Sequence, residues 1–156
     1  MAKSKQQQHG DIWERYIRIE CGELKKQKRA LVRKNWEAPR IPGKKIPREK
    51  SKPDFSGCLD TDGMHVAFEA KAVQSTTSFP LSQLEDHQRE HLELVAELGG
   101  IAFVYVLDGN QQKWIIPIAS LELLDRASVP FKNSVLAQCK LEGEIWLDTL
   151  ERMGLV

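Results

Sequence analysis

The 156 residues, 41% hydrophobic and 29% charged, fit one soluble domain with a single core rather than a disordered or membrane-embedded chain. The longest apolar run, Ile101 to Leu107, is too short to span a bilayer, and the opening MAKSKQQQHG holds no apolar leader, so a cytoplasmic location and no membrane partner are expected. The net charge of +1 conceals a +10 segment, Lys25 to Lys52, where twelve Lys and Arg face only Glu37 and Glu49; such a segment suits a gripped polyanion or a solvated basic loop.

Residues 1–9 are polar and glutamine-rich and read as a flexible tail, leaving one domain over 10–156. From Asp11 to about Lys28, Ile12, Trp13, Tyr16, Ile17, Ile19 and Leu24 recur at near-helical spacing, which predicts an amphipathic helix beginning near Asp11. Ala30 to Trp36 reads as a strand. Pro39, Pro42, Gly43 and Pro47 then break regular structure and make 39–52 an extended basic loop.

Phe55 to Leu59 and Met64 to Lys71 flank Asp60-Thr61-Asp62-Gly63, the pattern of an antiparallel hairpin. Period-two alternation puts Met64, Val66, Phe68 and Ala70 on one face and His65, Ala67, Glu69 and Lys71 on the other, so Glu69 and Lys71 point the same way. Gln83 to Leu98 reads as a helix with Leu84, Leu92, Val95 and Leu98 inward and Gly99-Gly100 as its stop. Ile101 to Leu107 has the continuous apolar character of a central buried strand. Asp108-Gly109-Asn110 turns the chain into a strand over Lys113 to Ile118, and short helices are expected at Leu121 to Ala127 and Glu144 to Met153. The sum is a single-domain α/β sandwich around a mixed sheet flanked by helices.

Pro53-Asp54 opens the first hairpin strand and Glu69-Ala70-Lys71 closes the second, so two carboxylates and an ammonium share one hairpin end. Mg²⁺ needs only one or two protein carboxylates, and once bound it lowers the pKa of water and polarises phosphoryl oxygens. Lys71 would place positive charge where a phosphate becomes more negative. The pattern also fits an ordinary Glu/Lys pair on the wet face of a hairpin. Gln88, between Leu84 and Leu92 on the inward stripe, needs hydrogen-bond partners, which a hairpin packed on that stripe or a nearby backbone group would supply. The three cysteines, Cys21, Cys58 and Cys139, are odd in number and widely spaced, which favours reduced structural thiols over disulfides or a four-thiolate zinc site.

Together, Lys52-Pro-Asp-Phe-Ser-Gly57, Phe68-Glu-Ala-Lys71, Ser78-Phe-Pro-Leu81, His87-Gln88, His91-Leu92 and Gly99-Gly-Ile-Ala-Phe103 resemble the block shared by RecU-type Holliday-junction resolvases, which are PD-(D/E)XK nucleases. The resemblance covers about residues 52–104 and extends weakly to Gly10 and Glu14 of the first helix. It implies a restriction-endonuclease-like fold, a homodimer, Mg²⁺ or Mn²⁺ as cofactor, four-way junction or other branched DNA as substrate, and a role in recombination and repair in a bacterial or phage-infected cell. It makes Asp54 and Glu69 metal ligands with the Ala70 carbonyl, gives Lys71 the water or the transition state, and places Glu14 as an outer carboxylate. Gln88 joins these as a candidate catalytic residue. The basic segment supplies Arg33, Lys34, Arg40, Lys44, Lys45 and Arg48 as candidate DNA contacts. Family members carry a long stalk before the acidic motif, whereas here 39–52 is short and basic.

Three other activities compete. A nuclease of the same fold could act on ordinary duplex. A non-catalytic nucleic-acid-binding module would use the basic segment but leaves the clustered carboxylates unexplained. His87-Gln-Arg-Glu90-His91 also fits the HxxEH pattern of zinc peptidases, although no third ligand stands out.

Overall fold

The computed structural model describes residues 4–36, 52–122, 127–132, 137–138 and 143–156. The expected basic loop over 39–52, with Arg40, Lys44, Lys45 and Arg48, lies outside the described residues but for Lys52. Helix α1 runs Lys5–Lys26, starting six residues before Asp11. Its start is set by a capping box, in which Ser4 Oγ accepts from the Gln7 N–H and the Gln7 side chain accepts from the Ser4 N–H. The tail expected over 1–9 is therefore helical from Lys5. Only Trp13, Ile17, Cys21 and Leu24 are buried along α1; Ile12, Tyr16 and Ile19 are exposed, because the buried stripe advances by four, four and three residues and leaves them off its face.

Strands β1 (Ala30–Lys34), β2 (Phe55–Leu59) and β3 (His65–Ala72) form an antiparallel meander, with the expected hairpin turn between β2 and β3. Its middle strand needs Gly57, since a Cβ there would lie 1.9 Å from the Leu31 carbonyl oxygen of β1. The chain then passes through β4 (Ser78–Pro80) and a short 3-10 turn into α2 (Asp86–Glu97). This crossover lets β5 (Ile101–Leu107) pair parallel with β3. The inward stripe differs at both ends of α2. Leu84 is buried but precedes the helix, and Leu98 is 80% exposed at its C-cap, where Gly99 takes φ of +83° and turns the chain away.

β6 (Lys113–Pro117) pairs antiparallel with β5 and leads directly into α3 (Ile118–Glu122), several residues before the helix expected from Leu121. β7 (Ser128–Pro130) pairs with β4, β8 (Ala137–Gln138) adds to β6, and α4 (Trp146–Arg152) ends the fold close to its expected place. Among the described residues the main sheet has the order β1-β2-β3-β5-β6-β8. It is the expected mixed sheet flanked by helices.

The sheet is covered on both faces. Val66 and Phe68 of β3 and Phe103 and Tyr105 of β5 pack with Phe55 against α1 and α4. Ala67, Val104 and Val106 alternate with them and pack against α2 and α3. Phe55, Phe68 and Phe103 stack successively across three strands, with centroids 5.1 and 4.7 Å apart. The Glu69 face is therefore roofed by α2 and is not the wet side of a hairpin. Among the described residues no helix is long and apolar enough to cross a membrane.

Candidate active site

Asp54, Glu69, Lys71 and Gln88 come together where the β2–β3 hairpin end meets the first turn of α2. The Ala70 N–H donates to Asp54 Oδ2 at 2.9 Å, which ties the first acid to the strand carrying the second. Gln88 Nε2 donates to Glu69 Oε2 at 2.8 Å, while Gln88 Oε1 accepts from Lys71 Nζ at 2.9 Å and from the Glu85 N–H at 3.1 Å. Both sequence expectations for Gln88 thus hold at once: it meets the hairpin and also caps the backbone of its own helix. Glu69 and Lys71 point the same way, as alternation requires, yet Lys71 Nζ stays 4.0 Å from Glu69 Oε2 because Gln88 lies between them.

Glu69 is 1% exposed, and its Oε1 has no hydrogen-bond partner. Burial, and then the neighbouring Asp54 carboxylate, push its carboxyl up to about 9, only partly offset by Lys71. A buried acid with an orphaned oxygen beside a second acid is the environment a cation would relieve. The chemistry of the donor set, hard carboxylate oxygens with no thiolate or imidazole, suits Mg²⁺ or Mn²⁺. No group of three or more His, Cys, Asp or Glu suited to a metal occurs among the described residues, so a hard ion here would rely on these two acids, with water or substrate completing its shell.

The other candidates make contacts of their own. The Glu14 carboxylate forms an ion pair with Lys34, so what Glu14 does in the structure is hold the end of β1. Arg33 is exposed on β1, and Lys34 also lies 5.3 Å from the centre of the Trp36 ring. His87 Nδ1 is 3.3 Å from Glu85 Oε2. Cys21 is buried on α1, with its thiol pushed up to about 12 by desolvation, in keeping with a structural role.

Sequence reasoning missed Asn35. Its N–H donates to the Asp54 carbonyl at 2.8 Å, and its side-chain amide donates to the Pro53 carbonyl and to Ser56 Oγ, each at 2.8 Å. The backbone on both sides of Asp54 is thus pinned by one residue. The sequence pattern puts Asn35 inside a strand over Ala30 to Trp36, whereas β1 ends at Lys34; an amide near a strand end, which commonly marks a turn, is the one available signal.

The family model described as Recombination protein U matches residues 8–140. The chain belongs to the RecU family. Among RecU relatives, the Holliday junction resolvase RecU of Bacillus pumilus is 42% identical over 59 residues, which are 38% of this chain and 28% of that protein. That of Listeria monocytogenes is 47% identical over 53 residues, 34% of this chain and 25% of that protein. The matched stretch is thus a minor share of the curated relatives' length. A solved structure of Archaeoglobus fulgidus Hjc, described as a Holliday junction resolvase from an archaeal hyperthermophile, superposes with a TM-score of 0.47 at 19% identity, over 81% of this chain and 90% of that one.

Proposed function

We propose that the chain is a structure-selective DNA endonuclease that resolves Holliday junctions by Mg²⁺- or Mn²⁺-dependent phosphodiester hydrolysis, acting as a homodimer in the cytoplasm of a bacterial or phage-infected cell. The observation that carries this is the buried Glu69 carboxyl beside Asp54, with its Oε1 lacking a hydrogen-bond partner. The names of the RecU relatives point to junction DNA as the substrate.

Asp54 and Glu69 would hold the ion, with the Ala70 carbonyl as a further ligand. The bound ion supplies Lewis acidity and a water of lowered pKa. The protein's own groups do the rest. Ala70 N–H keeps Asp54 in place, and Gln88 fixes Glu69 while drawing Lys71 away from a tight ion pair. An ammonium has three donors and Gln88 takes one, so Lys71 can present the others to the attacking water or to a phosphate oxygen. Arg33 and the cations of 39–52 would hold neighbouring phosphates, with Glu14 acting through Lys34.

The test is nicking of a mobile four-way junction and of linear duplex of the same sequence, at equal salt, with Mg²⁺ or with EDTA. Paired, symmetric, metal-dependent cuts in the junction are expected. No cutting with either Mg²⁺ or Mn²⁺ removes the enzyme proposal, and equal cutting of linear duplex replaces it by an ordinary duplex nuclease.

A further inference from the structure

Of the four tryptophans, three are in the core: Trp13, Trp114 and Trp146 are 2%, 8% and 0% exposed. Trp13 and Trp114 also donate their indole N–H groups, to the Tyr105 carbonyl and to Asp108. Trp36 is 72% exposed. It directly follows Asn35, which is bonded to the Asp54 carbonyl, so ordinary strand spacings put the Trp36 Cα roughly 6 Å from that of Asp54.

The surroundings of the ring are cationic. Arg18 Cζ and Lys34 Nζ lie 5.4 and 5.3 Å from its centre. The groove that runs from it between α1 and β1 is also lined by Lys25 and Arg33, and among the described residues none that line it is acidic, although Glu14 engages Lys34. An apolar protein partner would have to desolvate these charges, whereas a nucleic-acid strand brings phosphates for the cations and a flat π face for the indole. A base inside a duplex offers no free face, so the ring selects bases already unpaired.

We propose that Trp36 is a stacking platform for an unpaired base of the bound strand, with Arg18, Lys25, Arg33 and Lys34 taking the flanking phosphates. This deepens the nuclease proposal by naming a feature of branched DNA that the protein reads beside its acid pair. Strand alternation puts Trp36 on the α1 side with Val32 and Lys34, while Glu69 faces α2. The strand would therefore pass over the end of the sheet between platform and acids.

The test uses the full chain in EDTA, where no cleavage occurs, titrated with a short oligothymidylate and with an abasic strand of equal length. Because the other indoles are buried, emission of the exposed class reports Trp36. Strong quenching by the oligothymidylate and little by the abasic strand at equal occupancy are expected. Trp36→Leu should lose the quenching and bind the oligothymidylate about 5- to 150-fold more weakly, the span of one stacked base, with abasic binding unchanged. Trp36→Phe should fall between. Equal quenching by both strands, wild-type affinity in Trp36→Leu, or no binding of either strand overturns the proposal. Since no arm requires catalysis, an inactive protein whose Trp36 responds to bases leaves stacking intact, and an active one whose Trp36 ignores them overturns stacking alone.

Discussion

Gln88 Nε2 lies 2.8 Å from Glu69 Oε2, and this bond sets the direction of the candidate site's buried acid, which is 1% exposed. Removing it in Gln88→Ala frees Glu69 to turn and Lys71 to close on it. Losses of about 10- to 100-fold are usual when a group that orients a metal ligand is removed. Turnover of junction DNA should fall in that range with affinity little changed, and kcat and KM measured separately will show it.

Asp54→Asn and Glu69→Gln should each abolish cleavage while junction binding survives, because the grip comes mainly from Lys and Arg. Gel-shift and cleavage assays on the same purified variants separate the two effects. Full-rate cutting by either variant would remove these residues from the chemistry.

In the metal-free protein, stability should fall as pH rises. The folded state holds a proton on Glu69 up to about 9, whereas the unfolded chain releases it near 4.5. Folded protein thus binds more protons across that window, so the stabilisation is complete below 4.5 and is lost progressively towards 9. Denaturant midpoints in EDTA at pH 5.5 and 8.5 should differ accordingly. Glu69→Gln should flatten the trend only in part, since burial raises Glu20 as well. Added Mg²⁺ should recover stability at the alkaline end if it binds the ionised pair.

Asn35→Ala withdraws both side-chain donors from the backbone around Asp54. The acid is then held only through Ala70 and the strand, so Mn²⁺ affinity should drop about tenfold or more, as for other residues that orient metal ligands. Calorimetric titration on a variant with wild-type circular dichroism checks this. Asn35→Asp should be worse still, since it adds repulsion to the loss of donors.

Neutralising Lys44 and Lys45 together should weaken junction binding and make it less salt-sensitive. Each phosphate contact contributes about 0.9 to the slope of log affinity against log salt, so losing two should lower that slope by about 2. Binding isotherms at several salt concentrations give the number directly.

The parts of the fold legible in the sequence were those governed by short-range pattern. The alternation over Met64 to Lys71 gave both the hairpin and the shared direction of Glu69 and Lys71, because side-chain period in a strand is fixed by the pleat. The apolar run Ile101 to Leu107 identified the central strand because a strand buried on both faces needs apolar residues without alternation. Helix ends were less legible. Ser4 and Gln7 cap α1 from inside a glutamine-rich tract that resembles a tail, and Leu98 continues the apolar period of α2 although the helix has ended at Glu97 and the chain turns at Gly99. The roles of Asn35 and Glu14 depend on pairings between segments distant in the chain, as do the short strands β4, β7 and β8, and no local pattern encodes them.

Gly57 now acquires a second meaning. With a side chain there, β1 could not stay beside β2, and the displacement would carry off everything attached to the far end of β1: the Asn35 clamp on the acidic motif and the indole that follows it. A single missing methyl group thus couples the proposed metal site to the proposed stacking platform. A Gly57→Ala protein should therefore lose metal affinity and base-dependent quenching together, even though residue 57 touches neither ligand.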